Sequence, residues 1–191
     1  VRVLCTTAQQ LHERRPLSAL EASTEAYNVA CELGEGASTD RRLCMAFAQR
    51  ERANALRYLG RFGEALKALD EAEALFDRSP AADTFDLAVV NLARATVFAA
   101  SEQFEIAVDL ARKSRQTFTD YSDMSRELSA SMIEAWCFLE LGVAPKAVEG
   151  FACYPSSSFG HLLPRGEGSD DFGYRGPFLI VPASVSGLIV A

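Results

Sequence analysis

Apolar residues recur at intervals of three and four along most of residues 1–150, with charged residues between them. In GEALKALDEAEALF (63–76), for example, Leu66, Leu69 and Ala72 follow this spacing, and the charged positions lie on the opposite side. This is the period of an amphipathic α-helix, in which residues three or four apart share one face. Because strand-like alternation is nearly absent from the same stretch, the pattern predicts an all-α fold.

One pattern occurs three times, as RANALRYLGRFGEAL (52–66), RATVFAASEQFEIAV (94–108) and EAWCFLELGVAPKAV (134–148). Each copy has an alanine, a large apolar residue three positions later, a turn, and then an alanine followed by an aliphatic residue. Two helices of a hairpin lie close together only where side chains are small, and the large residue fills the space between neighbours. A single hairpin cannot bury its apolar face, so the copies predict stacked antiparallel hairpins.

The positions of the repeat copies, and the proline and capping residues between them, predict where each hairpin begins and ends. The stretch TTAQQLHERRPLSALEASTEAYNVACELG is a weaker, earlier copy, with Pro16 where a helix start tolerates proline. Pro80 ends one hairpin, and Ser79, Asp83 and Thr84 are candidate N-caps for the next helix. The predicted hairpins span about 1–35, 40–79, 82–121 and 124–154, within one domain covering residues 1–154.

The stretch ALRYLGRFGEALKALDEAEAL (55–75) resembles the hairpin of tetratricopeptide repeats, with Leu59–Gly60 before the turn and the aromatic Phe62 in it. The repeats are longer than the family's usual length of about 34 residues, and in this they resemble the long-repeat bacterial type. The resemblance implies an α-solenoid of about 3.5 hairpins. It also implies a concave groove, lined by the first helix of each hairpin, that binds a peptide or helix of a partner protein.

The resemblance also implies which side chains face that groove. They are Phe47, Arg50, Asn54, Arg57, Tyr58, Val89, Leu92, Thr96, Met132, Trp136, Leu139 and Glu140. Trp, Tyr and Arg are the residue types enriched at binding hot spots, although each also occurs in helix packing or on a solvated face. These alternatives remain open for every member of the set.

Arg50 and Asn54 lie four residues apart on one helical face, a spacing suited to binding a carboxylate. They resemble half of the carboxylate clamp of chaperone-binding tetratricopeptide repeats. The positions that correspond to the other half are Ala93, Ser129 and Ile133, which cannot supply it. A chaperone tail is therefore not the expected partner.

Composition and motif content argue against several classes of partner and activity. The net charge of −7 and the pI near 4.9 argue against nucleic acid as a partner. The five cysteines are widely spaced and only two histidines occur, so no zinc site is expected. Neither a phosphate-binding glycine loop nor a catalytic constellation is recognisable, and the sequence predicts no enzyme, no cofactor and no metal. No apolar run reaches the length of a membrane span, and we expect a cytoplasmic protein.

Residues 155–191 differ in composition, with 6 of the 12 glycines and 4 of the 7 prolines. Two interpretations are open: a disordered extension whose apolar end FLIVPASVSGLIVA folds back or docks on a partner, or a truncated or frame-shifted end to a longer repeat array. We favour the second, because the repeat pattern stops in the middle of a hairpin at Pro155.

Together these observations predict a protein–protein interaction scaffold that binds a peptide or helix in its groove, within a bacterial signalling or regulatory system. The alternative is a ligand- or peptide-sensing module, such as the sensor half of a transcription regulator.

Overall fold

The computed structural model describes residues 1–33, 40–79, 82–143 and 145–147. Over this part of the chain it contains helices and no strands, which confirms the all-α prediction. The predicted tail, residues 155–191, lies outside the described residues. The helices are α1 (Arg2–Leu11), α2 (Pro16–Glu32), α3 (Arg41–Tyr58), α4 (Phe62–Asp77), α5 (Thr84–Ala100), α6 (Phe104–Asp120) and α7 (Met124–Glu140). None of these helices is long and apolar enough to cross a membrane.

Each helix packs against the next one in the chain, from α1 through α7. Three further contacts join odd-numbered helices, namely α1 with α3, α3 with α5, and α5 with α7. The even-numbered helices of the described residues make no such contact with one another. The odd-numbered helices therefore form one continuous row, which we call the odd row.

The repeat alanines are at the helix contacts. Ala53, Ala65, Ala95 and Ala107 are fully buried, as the close approach of two helices requires. Around them lie larger buried side chains such as Leu56, which fills the space between α3 and its neighbours. The core is thus built from the two residue classes that define the repeat.

One turn geometry recurs after four helices. Its middle residue has a positive φ, and this residue is Gly60 (72°), Glu102 (63°), Ser122 (57°) or Gly142 (73°). The next N–H donates to the carbonyl five residues earlier, in the pairs Arg61 to Leu56 (2.9 Å), Gln103 to Phe98 (2.9 Å), Asp123 to Phe118 (2.9 Å) and Val143 to Phe138 (2.8 Å). This bond closes the helix end in a Schellman motif. The turn between α6 and α7, which joins two predicted hairpins, has the same form as the turns within hairpins.

Aspartates begin the odd-numbered helices from α3 onward. Asp40 accepts from the Arg42 N–H at 2.8 Å, and Asp123 accepts from the Arg126 N–H at 3.0 Å. Asp83 forms a capping box with Asp86, so it is the N-cap among the three predicted candidates. Each cap satisfies one N–H of a first turn and fixes where a helix of the odd row starts.

Candidate partner-binding surface on the odd row

The side chains predicted to face a groove all lie on odd-row helices. On α3 they are Phe47, Arg50, Asn54, Arg57 and Tyr58; on α5 they are Val89, Leu92 and Thr96; on α7 they are Met132, Trp136, Leu139 and Glu140. Within the described residues, no hydrogen bond, ion pair or ring contact links the α3 members to the α7 members. The set therefore spans three neighbouring helices as separate local groups.

Several of the predicted groove residues contact other residues of the fold with part of their side chain. The Phe47 ring meets the buried Phe76 ring edge-on, with centroids 5.4 Å apart. Leu92 is half-buried and packs against two apolar clusters, one of which contains Phe118. The Thr96 hydroxyl donates to the Ala93 carbonyl at 2.6 Å. Only part of the surface of each of these side chains is therefore accessible to a partner.

On α7 the half-buried Trp136 is held by neighbours on both sides. Its indole N–H donates to the Glu140 carboxylate at 3.1 Å, one helical turn away. Its ring meets Phe104 edge-on, with centroids 5.8 Å apart. Trp136 therefore presents a fixed, partly accessible aromatic face, as an anchor for an apolar group of a partner requires.

A second group forms where the end of α1 meets α3. We call it the α1–α3 polar cluster, and it consists of His12, Glu13, Arg50, Glu51, Arg57 and Tyr58. Arg50, Arg57 and Tyr58 were predicted from the sequence, whereas His12, Glu13 and Glu51 were not. That Glu51 of α3 is buried becomes evident only when α1 packs against α3.

Within this cluster Arg50 is already paired. Its guanidinium donates to Glu51 Oε1 from Nε at 3.1 Å and from Nη2 at 2.8 Å. Glu51 is only 2% exposed, so this ion pair neutralises a buried carboxylate. The Arg50 guanidinium also lies 5.3 Å from the centre of the Phe47 ring. The guanidinium of Arg50 is therefore already engaged in contacts within the fold.

His12 lies against the other oxygen of the same carboxylate. Its Nε2 is 3.4 Å from Glu51 Oε2, and neither atom has a hydrogen-bond partner among the described residues. Burial lowers the pKa of His12, and this effect outweighs the nearby Glu51 carboxylate, which raises it. The imidazole is therefore neutral at pH 7.

Arg57 differs from Arg50 in having no carboxylate of its own. It is buried, with 8% of its surface exposed, and no described carboxylate oxygen lies within 4 Å of its guanidinium. Its Nε has no hydrogen-bond partner among the described residues. The guanidinium instead lies over the Tyr58 ring, with Cζ 4.0 Å from the centroid.

The thiols of Cys5 and Cys137 do not resemble nucleophiles. Burial raises the pKa of Cys5 to about 11 and that of Cys137 to about 12, so both remain protonated at neutral pH. Within residues 1–33, 40–79, 82–143 and 145–147, no group of three His, Cys, Asp or Glu side chains is arranged to hold a metal ion. The polar contacts found on this surface are charge pairs and hydrogen bonds.

The chain matches no protein-family model, no curated protein and no solved structure. The resemblance to tetratricopeptide repeats remains a prediction from the sequence, and a function has to be argued from the residues themselves.

Proposed function

We propose that this chain is a tetratricopeptide-like stack of helical hairpins that binds a peptide or helix of a partner protein along the odd row. One observation carries the proposal: among the described helices, the odd-numbered ones contact one another in sequence, and the even-numbered ones do not. In such a stack the first helices of successive hairpins line one continuous face.

The side chains of that face support the proposal. The aromatic face of Trp136 lies on α7, and four members of the α1–α3 polar cluster lie on α3, namely Arg50, Glu51, Arg57 and Tyr58. Partly buried aromatic and arginine side chains are the residues that contribute most of the energy at interfaces. A peptide crossing the odd row meets apolar side chains that give affinity and charges that fix its direction.

The test is a selection of displayed peptides against the full chain, followed by affinity measurements with variants. We expect Trp136→Ala to weaken the selected peptides by about tenfold or more, as loss of a hot-spot aromatic does. Lys67→Ala on α4 and Gln116→Ala on α6 are matched controls, since both residues are exposed on even-numbered helices. Circular dichroism shows whether each variant keeps its helices.

Two results would reject the proposed function. One is a selection that returns no peptide with saturable binding to the wild-type chain. The other is an equal loss of affinity in the α4 and α6 controls, because binding would then not depend on the odd row.

A further inference from the structure

We propose that the cavity between the start of α5 and the turn that joins α6 to α7 binds a basic side chain, lysine or arginine, of a partner protein. We call this cavity the α5–α7 pocket, and its volume is about 510 Å³. It is lined by Asp83, Phe85, Tyr121, Ser122, Asp123 and Met124. The inference goes beyond the proposed function, because the pocket lies where two helices of the odd row begin and contains none of the side chains predicted to face the groove.

The walls of the pocket include two large apolar side chains that are open to solvent. Met124 is 81% exposed and Tyr121 is 47% exposed. The other exposed large apolar side chains of the described residues, Val3, Leu17 and Ile106, line no part of this pocket. Neighbouring exposed apolar groups around a cavity are typical of an interaction site, since a ligand that covers them removes apolar surface from water.

The aromatic wall is held in place by its neighbours. The Tyr121 hydroxyl lies 3.0 Å from the Thr84 hydroxyl, and the Tyr121 ring centre is 5.3 Å from that of Phe85. Phe85 in turn meets the buried Phe118 ring edge-on, with centroids 5.6 Å apart. A fixed aromatic face loses little freedom on binding, so the pocket is formed before a ligand arrives.

Arg126 shows what one side of this pocket accommodates. Its guanidinium lies over the Phe85 ring, with Cζ 5.1 Å from the centroid, and it pairs with the Asp123 carboxylate. An aromatic face and a carboxylate together favour a cation, because both attract positive charge. Tyr121 and Asp83 offer the same two groups, and among the described residues no cation lies over the Tyr121 ring or pairs with Asp83.

The charge of the pocket has the sign that a cation requires. One Asp83 oxygen accepts from the Asp86 N–H at 3.1 Å, and the other makes no hydrogen bond among the described residues. With Asp86 and Asp123, three carboxylates stand against the one guanidinium of Arg126. The N-termini of α5 and α7 each contribute about half a positive charge, which leaves a net charge of about −1. A basic side chain therefore neutralises the pocket, whereas an acidic one adds to its charge.

The apolar walls favour a long basic side chain over a metal ion. Lysine and arginine carry an aliphatic stem that can cover the Met124 thioether and the Tyr121 ring while the charged group reaches Asp83. A hydrated metal ion would leave those apolar groups exposed. Within the part of the chain that the structure describes, no group of three His, Cys, Asp or Glu side chains is arranged to hold one.

Blocked amino acids test the pocket without any partner. The chain has three methionines, Met45, Met124 and Met132, so isotope-labelled methyl groups give few resonances, and Met124 is identified by its loss in Met124→Leu. On titration of the full chain with Nα-acetyllysine amide or Nα-acetylarginine amide, we expect a saturable shift of the Met124 methyl group and none of Met45. Nα-acetylnorleucine amide has the stem without the charge and should bind about fivefold more weakly, because it loses a cation–π contact and an ion pair. Added salt should weaken only the charged probes.

Variants supply the second arm. Asp83→Asn removes the charge but keeps an oxygen that can cap α5, so the helix start is retained. It should weaken the lysine probe by about fivefold and leave the norleucine probe unchanged. Asp109→Asn on α6 is the matched control, since it makes the same charge change at an exposed carboxylate outside the pocket. Tyr121→Phe keeps the ring and should bind as the wild type does, whereas Tyr121→Leu should weaken the lysine probe.

Four outcomes overturn the proposal. They are a Met124 resonance that does not move, a shift of Met132 in its place, equal affinity for the lysine and norleucine probes, or equal effects of Asp83→Asn and Asp109→Asn. The peptide selection is judged separately. If selected peptides bind through Trp136 and the lysine probe fails, the proposed function stands and the pocket is rejected. If the probe binds and no peptide is found, the pocket stands without the proposed function.

Discussion

The turns at Glu102 and Ser122 offer a quantitative test of the repeat geometry. Both residues have a positive φ, at 63° and 57°, and both are exposed. At the same position in two other turns the chain has Gly60 and Gly142. Because all four turns close with the same hydrogen bond, we expect glycine to be the better residue in each.

The size of the effect follows from two opposing terms. A non-glycine residue in the left-handed region costs about 1–2 kcal/mol, and glycine adds about 0.5–1 kcal/mol of chain entropy to the unfolded state. Glu102→Gly and Ser122→Gly should therefore each stabilise the fold by about 0.5–1 kcal/mol. The two turns share no hydrogen bond, so the double variant should gain about 1–2 kcal/mol.

Urea and thermal unfolding followed by circular dichroism measure this gain. For a chain of this size we expect the double variant to melt about 3–6 °C higher. Lys113→Gly in the middle of α6 is the control, and it should destabilise by about 1 kcal/mol because its backbone is helical. Equal destabilisation by Glu102→Gly and Lys113→Gly would refute the left-handed turn at Glu102.

Three further predictions concern the cluster and the core. Replacing Arg57 with methionine should leave thermal stability unchanged or raise it, because the variant removes a buried charge that has no ion pair among the described residues. A fall of several degrees would show that its contact with the Tyr58 ring stabilises the fold by more than the buried charge costs. The lowered pKa of His12 means that the unfolded chain takes up a proton first as pH falls through about 6.5, so stability should decrease from pH 7 towards pH 5. His12→Gln should flatten that dependence in pH-dependent urea unfolding, and an unchanged slope would contradict the burial of His12. Phe76→Ala should cost about 3–5 kcal/mol in the same assay, since Phe76 is 1% exposed and contacts Phe47.

The helical content was predictable because it depends on local periodicity. The spacing of Leu66, Leu69 and Ala72 specifies one apolar face, and a helix is the structure that places these residues together. The equivalence of the turns was harder to predict. Gly60 signals a left-handed residue, but Glu102 occupies the same conformation without a sequence signal, because the packing of α5 against α6 outweighs the local preference.

The candidate site was predictable only in part, because its chemistry depends on contacts between helices. Spacing correctly places Arg50 and Asn54 near one face of α3, but it does not show that Arg50 is paired with Glu51. Adjacent residues on a helix normally point apart, so this pair has no pattern in the sequence. His12 joins them from α1, and a contact of this kind becomes visible only when the helices are packed.

Stability measurements at Arg50 and Arg57 separate a buried arginine that has an ion pair from one that has none among the described residues. A structural arginine would make its replacement by methionine destabilising, since a partner would be left unpaired. A buried arginine without an ion pair among the described residues predicts the opposite result, with stability kept or gained when it is replaced. Arg50 is the internal comparison, because its removal leaves the buried Glu51 without its cation and should destabilise the fold. Two arginines two turns apart on α3 should therefore respond in opposite directions, and this contrast follows from their partners, because both have the same side chain and lie on the same helix.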